Sequence, residues 1–310
     1  MRLPGKEAFE VAKCNPHRLM QVWAKELPQY PTVPHVAKFK LPSSGKFFTI
    51  GSCFARNIEN ALRSAGVSIL SSVPSLPGEY YELGGDARTG YQNVYTPGSI
   101  LEAVKLCSVQ SPHHSIVGSN DKYLDLLTSG LIPLDEVRVK GVRDGLIETY
   151  NKLPESDAVI ITLGYNESWI YKPESCYINR TPSHVMLRRQ IDDFYFECLG
   201  YDASLSLVRK ALEMINQFSP RCKIILTVSP VPLSATFTDK SVVIANQLSK
   251  STLRTVASAI AESLDYVDYF PSYEIIMNSE RSKTFLEDGI HVKPEAVANV
   301  ISQFKTAYFN

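Results

Sequence analysis

The residues whose types and spacing suit chemistry lie far apart in the chain. Thr49-Ile50-Gly51-Ser52-Cys53-Phe54-Ala55-Arg56-Asn57 follows an apolar, strand-like stretch from Phe47 and opens an amphipathic pattern, so a thiol falls where strand turns into helix. The first N–H groups of a helix have no internal partner and carry partial positive charge, which favours a thiolate there and can hold an oxyanion. Asp288-Gly289-Ile290-His291 precedes Pro294 and an apolar stripe of Ala296, Val297, Val300, Ile301 and Phe304. Pro near the start of that helix leaves Asp288 and His291 on the loop before it, where one turn lets the carboxylate orient the imidazole. A nucleophile early and Asp-x-x-His late predict a triad of Cys53, His291 and Asp288. Glu287 is a fallback orienter, and His113, His114 and His184 are secondary candidates for the base. Taken alone, Cys53 also fits a buried small residue behind an N-capping Ser52, and Asp-x-x-His fits a capped turn.

The elements that must position these groups are legible as alternating patterns. Strand-length apolar runs at 47–51, 67–71, 158–164, 223–229 and 266–270 are separated by helical periodicity at 56–66, 203–218 and 242–264, and the stripe after Pro294 closes the series. Continuous apolar strands joined by helical crossovers predict an α/β fold, a mainly parallel sheet of about five strands covered on both faces. Residues 1–44, with several prolines and little periodicity, are expected to form an arm packed on a domain spanning 45–310. Two insertions, near 73–98 and 165–200, follow predicted strands. Ligands of open α/β sheets bind beyond the carboxyl ends of the strands, so both are expected to wall a substrate crevice. In the second, Trp169 and Tyr171 alternate along a strand-like segment and can face a sugar with Asn166 and Glu167, whereas Tyr177 and Phe194 are expected in the core.

Gly51-Ser52-Cys53-Phe54-Ala55 spells the signature of the GSCFA family, which the chain resembles also through Asn93-Val94-Tyr95-Thr96, Leu163-Gly164, Val228-Ser229-Pro230-Val231-Pro232 and Asp288-x-x-His291. That family is related to the SGNH (GDSL-type) esterases and acyltransferases. Gly51-Ser52-Cys53-x-x-Arg56-Asn57 is similar to the Gly-Asp-Ser-x-x-Arg-Asn opening of polysaccharide O-acetyltransferases, with Cys53 at the place of the nucleophilic Ser. Ser52 stands where that motif has Asp, so Ser52 remains open as an alternative nucleophile.

The resemblance implies a three-layer α/β/α sandwich of SGNH type and an acyl-enzyme mechanism. The oxyanion would be held by the Cys53 N–H together with Gly164 and Asn166. Ser52, Asn93, Tyr95, Glu167 and Trp169 would meet substrate, and Arg56 would either contact an anionic group or be a solvated first-turn arginine. The helix start and a neighbouring imidazolium are expected to lower the Cys53 pKa. An acyl-Cys is a thioester, close in energy to acetyl-coenzyme A but uphill from an oxygen ester, so transfer is easier to rationalise than hydrolysis. The expected activity is therefore that of an acyltransferase or esterase on a hydroxyl or ester of a carbohydrate or related small acceptor, with acetyl-coenzyme A as a possible donor and no metal required. Two other classes share these residues. A cysteine peptidase or amidase uses the same Cys and His, and a non-catalytic carbohydrate-binding or assembly protein needs only the crevice.

Composition bounds the alternatives. The 310 residues are 44% hydrophobic and 21% charged, with formal net charge zero, so no general nucleic-acid or anionic-membrane surface is expected. Six cysteines are scattered without a Cys-x-x-Cys pair or zinc-type spacing. No apolar stretch has the length of a membrane span or the form of a signal core, and the expectation is a cytoplasmic protein with reduced thiols.

Overall fold

The computed structural model describes residues 3–15, 31–82, 90–108 and 111–309. Five parallel strands form the central sheet: β1 (Lys46–Gly51), β2 (Ser68–Ile69), β3 (Ala158–Leu163), β4 (Lys223–Val228) and β5 (Val267–Tyr269), in the spatial order β5-β4-β3-β1-β2. Five longer helices accompany it: α1 (Cys53–Ser64), α2 (Glu136–Tyr150), α3 (Tyr201–Phe218), α4 (Val242–Ser263) and α5 (Pro294–Tyr308). The chain is thus the α/β protein with a five-stranded parallel sheet that its pattern predicts.

Successive side chains of a strand point to opposite faces, and here both faces are dry. Phe47, Ala158, Ile160 and Ile225 pack with Phe54, Ile58 and Leu62 of α1 and with Val297, Val300 and Phe304 of α5. Phe48, Ile50, Val159, Ile161, Ile224 and Leu226 pack on the other side with residues of α2, α3 and α4, among them Leu146, Leu212 and Leu253. Double burial explains why the strands are continuous rather than alternating apolar runs.

The second insertion, and the segment between the first insertion and α2, carry structure that the sequence pattern did not resolve. Glu167–Tyr171 pairs antiparallel with both Cys176–Ile178 and Phe194–Cys198, making a three-stranded sheet, and Ile116–Ser119 forms a hairpin with Lys122–Asp125. Phe194 is buried as expected, and Tyr177 is half-buried with its hydroxyl donating to Glu197 Oε2 at 3.2 Å. Of the first 44 residues, the helix Gly5–Cys14 buries none of its side chains. The stretch from 31 is tied to the sheet edge: His35 Nε2 lies 3.1 Å from both Asp268 Oδ2 and Tyr308 OH, and Lys38 N donates to Asp268 Oδ2 at 3.1 Å. Residues 16–30 of that arm and 83–89 of the first insertion lie outside the described residues.

One glycine governs how β1 feeds α1. Gly51 has φ +148°, and a Cβ there would lie 2.7 Å from Thr162 O and 3.0 Å from the Ala55 Cβ. Backbone conformation and close packing both demand the missing side chain. Gly51→Ala should destabilise the protein by about 2 kcal/mol or more, read as a lower urea midpoint at unchanged denaturant slope.

Candidate active site

The ends of β1 and β3 are neighbours, with Gly51 paired to Thr162. The chain leaves β1 toward β2 on one side and leaves β3 toward β4 on the other. This is the point where strand order reverses, and the crevice it opens is the usual ligand site of such sheets. The segment 93–96 lies across both strand ends: Val94 N donates to Gly51 O at 2.9 Å, and Gly164 N donates to Tyr95 O at 3.0 Å. Only glycine fits at 164, because a Cβ there would fall 2.6 Å from Tyr95 O.

A cleft of about 560 Å³ opens at this point, lined among others by Ser52, Cys53, Tyr95, Gly164, Tyr165, Glu167, Trp169 and His291. Cys53 is the first residue of α1, and Ser52 before it is extended but makes no capping bond. The Ser52 hydroxyl instead donates to Ser229 Oγ at 3.4 Å. The first-turn donors are thereby left to the sulfur: the N–H groups of Phe54 and of Cys53 itself favour its thiolate. Burial opposes them and wins, pushing the Cys53 thiol above its ordinary pKa. The helix start alone therefore does not give the lowered thiol pKa expected from the sequence.

Asp288 and His291 occupy the tip of a small hairpin closed by a bridge between Phe285 and Val292. Asp288 Oδ1 accepts from Ile290 N at 2.8 Å and His291 N at 3.0 Å, and its Oδ2 lies 2.6 Å from His291 Nδ1. These bonds hold the Asp288 carboxyl down at about 2. A carboxylate on Nδ1 leaves Nε2 as the free ring nitrogen. The imidazole is 57% exposed and shares the cleft with Cys53, but among the described residues no hydrogen bond joins the two.

Similarity to known proteins extends over most of the chain. A family model described as the GSCFA family matches residues 46–304. The chain belongs to the GSCFA family. No curated protein sequence matches this GSCFA chain. Solved structures similar to it include a Corynascus thermopiles (Myceliophthora fergusii) carbohydrate esterase family 2 enzyme with a carbohydrate binding domain, at 14% identity and TM-score 0.38, covering 89% of this chain and 67% of that one. An acetyl-xylooligosaccharide esterase from Geobacillus Stearmophilus has 13% identity and TM-score 0.35, covering 87% and 96%. An M. Smegmatis aryl esterase has 13% identity and TM-score 0.32, covering 85% and 98%.

Several residues singled out in the sequence of this GSCFA protein have other tasks. Arg56 does not line the cleft: it is buried beneath the sheet end, bonded to Glu59 Oε2 at 2.5 Å, Thr49 O at 2.9 Å and Thr49 Oγ1 at 2.8 Å. It is buried rather than a solvated first-turn residue. Asn166 is buried and does not border the cleft, its amide donating to Leu199 O at 2.7 Å, and the Gly164 N–H is given to Tyr95 O. Asn93 is buried behind Tyr95, with its Nδ2 3.4 Å from the Tyr95 hydroxyl, and does not line the cleft. Glu167 lines it but spends its carboxylate on Thr236 Oγ1 at 2.5 Å and Phe237 N at 2.9 Å, which fixes the loop after β4. Trp169 forms an aromatic wall with Phe237, ring centroids 5.1 Å apart. His113 is paired with Asp144, His114 with Ser111 O, and His184 accepts from Met186 N; none borders the cleft, nor does Glu287.

Two groups escaped the sequence reading. Tyr165 stacks on Tyr95 with ring centroids 5.4 Å apart and 15° between planes, and burial raises the pKa of both, so near the thiol they are neutral phenols able to donate. Lys250 is buried on α4 at 1% exposure, its Nζ donating to Gly164 O at 2.7 Å. The signal was present: 250 is in helical phase with Leu253, Ala257 and Ile260 on the buried face. Among the described residues no group of three or more His, Cys, Asp and Glu side chains is arranged to hold a metal ion, and no helix is long and apolar enough to cross a membrane.

Proposed function

We propose that this protein is a cysteine-dependent acyltransferase or esterase that works through a covalent acyl-enzyme on a hydroxyl or ester of a carbohydrate or related small acceptor. The observation that carries the reading is the sharing of one cleft by a thiol at a helix start and an Asp288-anchored imidazole. In the proposed sequence, His291 Nε2 takes the proton from Cys53, the thiolate attacks an acyl carbonyl, and the leaving group receives that proton as the carbonyl reforms. His291 then takes a proton from the incoming hydroxyl or water, whose oxygen displaces the thiolate. The Cys53 and Phe54 N–H groups and the Tyr95 and Tyr165 hydroxyls are the donors near the sulfur that can meet the oxyanion, replacing the Gly164 and Asn166 pair. The aromatic wall of Trp169 and Phe237 suits the apolar face of a sugar ring. Because the intermediate is a thioester, a thioester donor such as acetyl-coenzyme A is energetically matched to it.

The raised thiol pKa and the missing Cys53–His291 bond favour one alternative, a binding protein that retains the cleft without the chemistry. Mass spectrometry separates the two. After exposure to acetyl-coenzyme A and, separately, to an activated acetyl ester, an acetyl group on Cys53 that requires His291 is the expected result. Absence of any adduct, with a thiol that alkylates at an ordinary rate, would select the binding protein, and an adduct on Ser52 would move the nucleophile by one residue.

A further inference from the structure

Lys250 has no evident reason to be charged if it serves packing alone. Its position on α4 is in the buried stripe, its side chain is shielded from solvent, and the hydrogen bond given to its Nζ goes to the carbonyl of Gly164 at the end of β3. The preceding residue completes a clamp on the same loop, Ser249 Oγ accepting from Asn166 N at 2.9 Å. A neutral amide could satisfy Gly164 O equally well, and an ammonium held in a dry interior is costly unless an anion answers it. A backbone carbonyl is only a partial answer. Gly164, which Lys250 holds, borders the same cleft as Cys53 at the start of α1, and Cys53 is the titratable group whose charge acts on Lys250.

We propose that Lys250 is a positioning residue for the nucleophile: its buried ammonium, fixed on Gly164 O, is the counter-charge that allows Cys53 to exist as a thiolate in a desolvated cleft. This shares with the proposed function only the premise that Cys53 reacts. Burial pushes the thiol pKa up and brings the Lys250 pKa down to about 7, while each charge favours the other, so the thiolate gains most where Lys250 still holds its proton. Tyr95 and Tyr165 also face the thiol, and both stay protonated through the neutral range. The proton leaving Cys53 goes to His291 Nε2 or to solvent; the ammonium keeps its own three, and its contribution is charge alone.

The test measures alkylation of Cys53 by iodoacetamide against pH, by peptide mass spectrometry, in the wild type, Lys250→Met and Lys250→Arg. Lys250→Met should make alkylation about tenfold slower at and below about pH 7, where the ammonium is populated, with the difference closing at higher pH, and Lys250→Arg should recover most of the loss by keeping the charge. A Lys250→Met profile superimposed on the wild type, or a folded Lys250→Arg as slow as Lys250→Met, would overturn the proposal. Should Lys250→Met not fold, the His291→Ala protein carries the test. There, anionic iodoacetate should be favoured over iodoacetamide at Cys53 more than at the exposed Cys14, with the excess fading as pH rises past the Lys250 pKa of about 7. Equal ratios at both thiols would be fatal to it. Alkylation that follows residue 250 without any acetyl adduct would sink the acyl-transfer reading and leave this one standing; an adduct with a profile indifferent to residue 250 would do the reverse.

Discussion

Cys53→Ala should bring turnover of an activated acetyl ester down to the rate in buffer, and His291→Ala should leave a residue about 10²- to 10⁴-fold below wild type, the usual contribution of a positioned general base. The two losses differ in kind. Without the thiol no acyl-enzyme forms, whereas without the imidazole the thiolate still forms at alkaline pH, so raising the pH should rescue His291→Ala but not Cys53→Ala. Asp288→Asn should fall between wild type and His291→Ala. Its side-chain oxygen can still accept from Ile290 N and His291 N, but it no longer presents a charged oxygen to His291 Nδ1. The Asp288 pKa is depressed to about 2, so the pair it makes with His291 is intact above the ordinary carboxylate range and lost only as pH falls through about 2. An acid limb of activity at mildly acidic pH must therefore come from another group. Stopped-assay initial rates across pH for the four proteins check all of this, and full activity in Cys53→Ala would dismiss the mechanism.

Arg143→Met should destabilise the fold by about 3–5 kcal/mol, the effect of stripping one partner from a buried ion pair. Arg143 and Asp125 both have fully buried side chains, and Arg143 Nε donates to Asp125 Oδ2 at 2.9 Å while Nη2 bonds to Oδ1. Its remaining nitrogen satisfies Pro112 O at 3.0 Å and His114 O at 2.9 Å. The pair fastens the Ile116–Asp125 hairpin to α2, and the turn after Asp125 leads to Ser129 and Gly130 on the cleft wall. Arg143→Met combined with Asp125→Leu should be much milder than Arg143→Met alone, because no lone charge is left behind. Urea denaturation of the single and double variants reads both numbers; equal losses would mean that the hairpin contacts, not the buried charge, set the cost.

The sequence was legible where burial imposes a simple period. The five strands and α1, α3, α4 and α5 emerge from apolar runs and stripes because each packs a uniform face on a two-sided core. α2 was not legible, since its stripe of Val139, Val142 and Leu146 is interrupted by Arg143, a charge whose burial depends on Asp125 from a distant hairpin. The three-stranded insertion sheet was hidden for a related reason: its strands are short and only partly buried. At the cleft, Cys53, Asp288 and His291 could be proposed from local motifs because a turn and a helix start are local structures. Arg56 and Asn166 could not be judged that way, because what engages them are Glu59 and Thr49 in one case and the Leu199 carbonyl in the other, partners no motif specifies. Lys250 is the reverse case, a residue with no motif whose meaning is given by the strand end it reaches.

The central pairing of β1 with β3 also has a kinetic meaning. Phe47 is registered with Ala158, roughly 110 residues later, and such remote parallel pairing makes folding slow because the loop must be closed before contacts compensate for it. On a ribosome Cys53 emerges long before β3, α4 and the Asp288–His291 hairpin exist. During that interval the thiol has neither cleft nor ammonium nor imidazole beside it. The nascent chain therefore carries an ordinary cysteine, and on the proposed mechanism its reactivity would arrive only with completed topology.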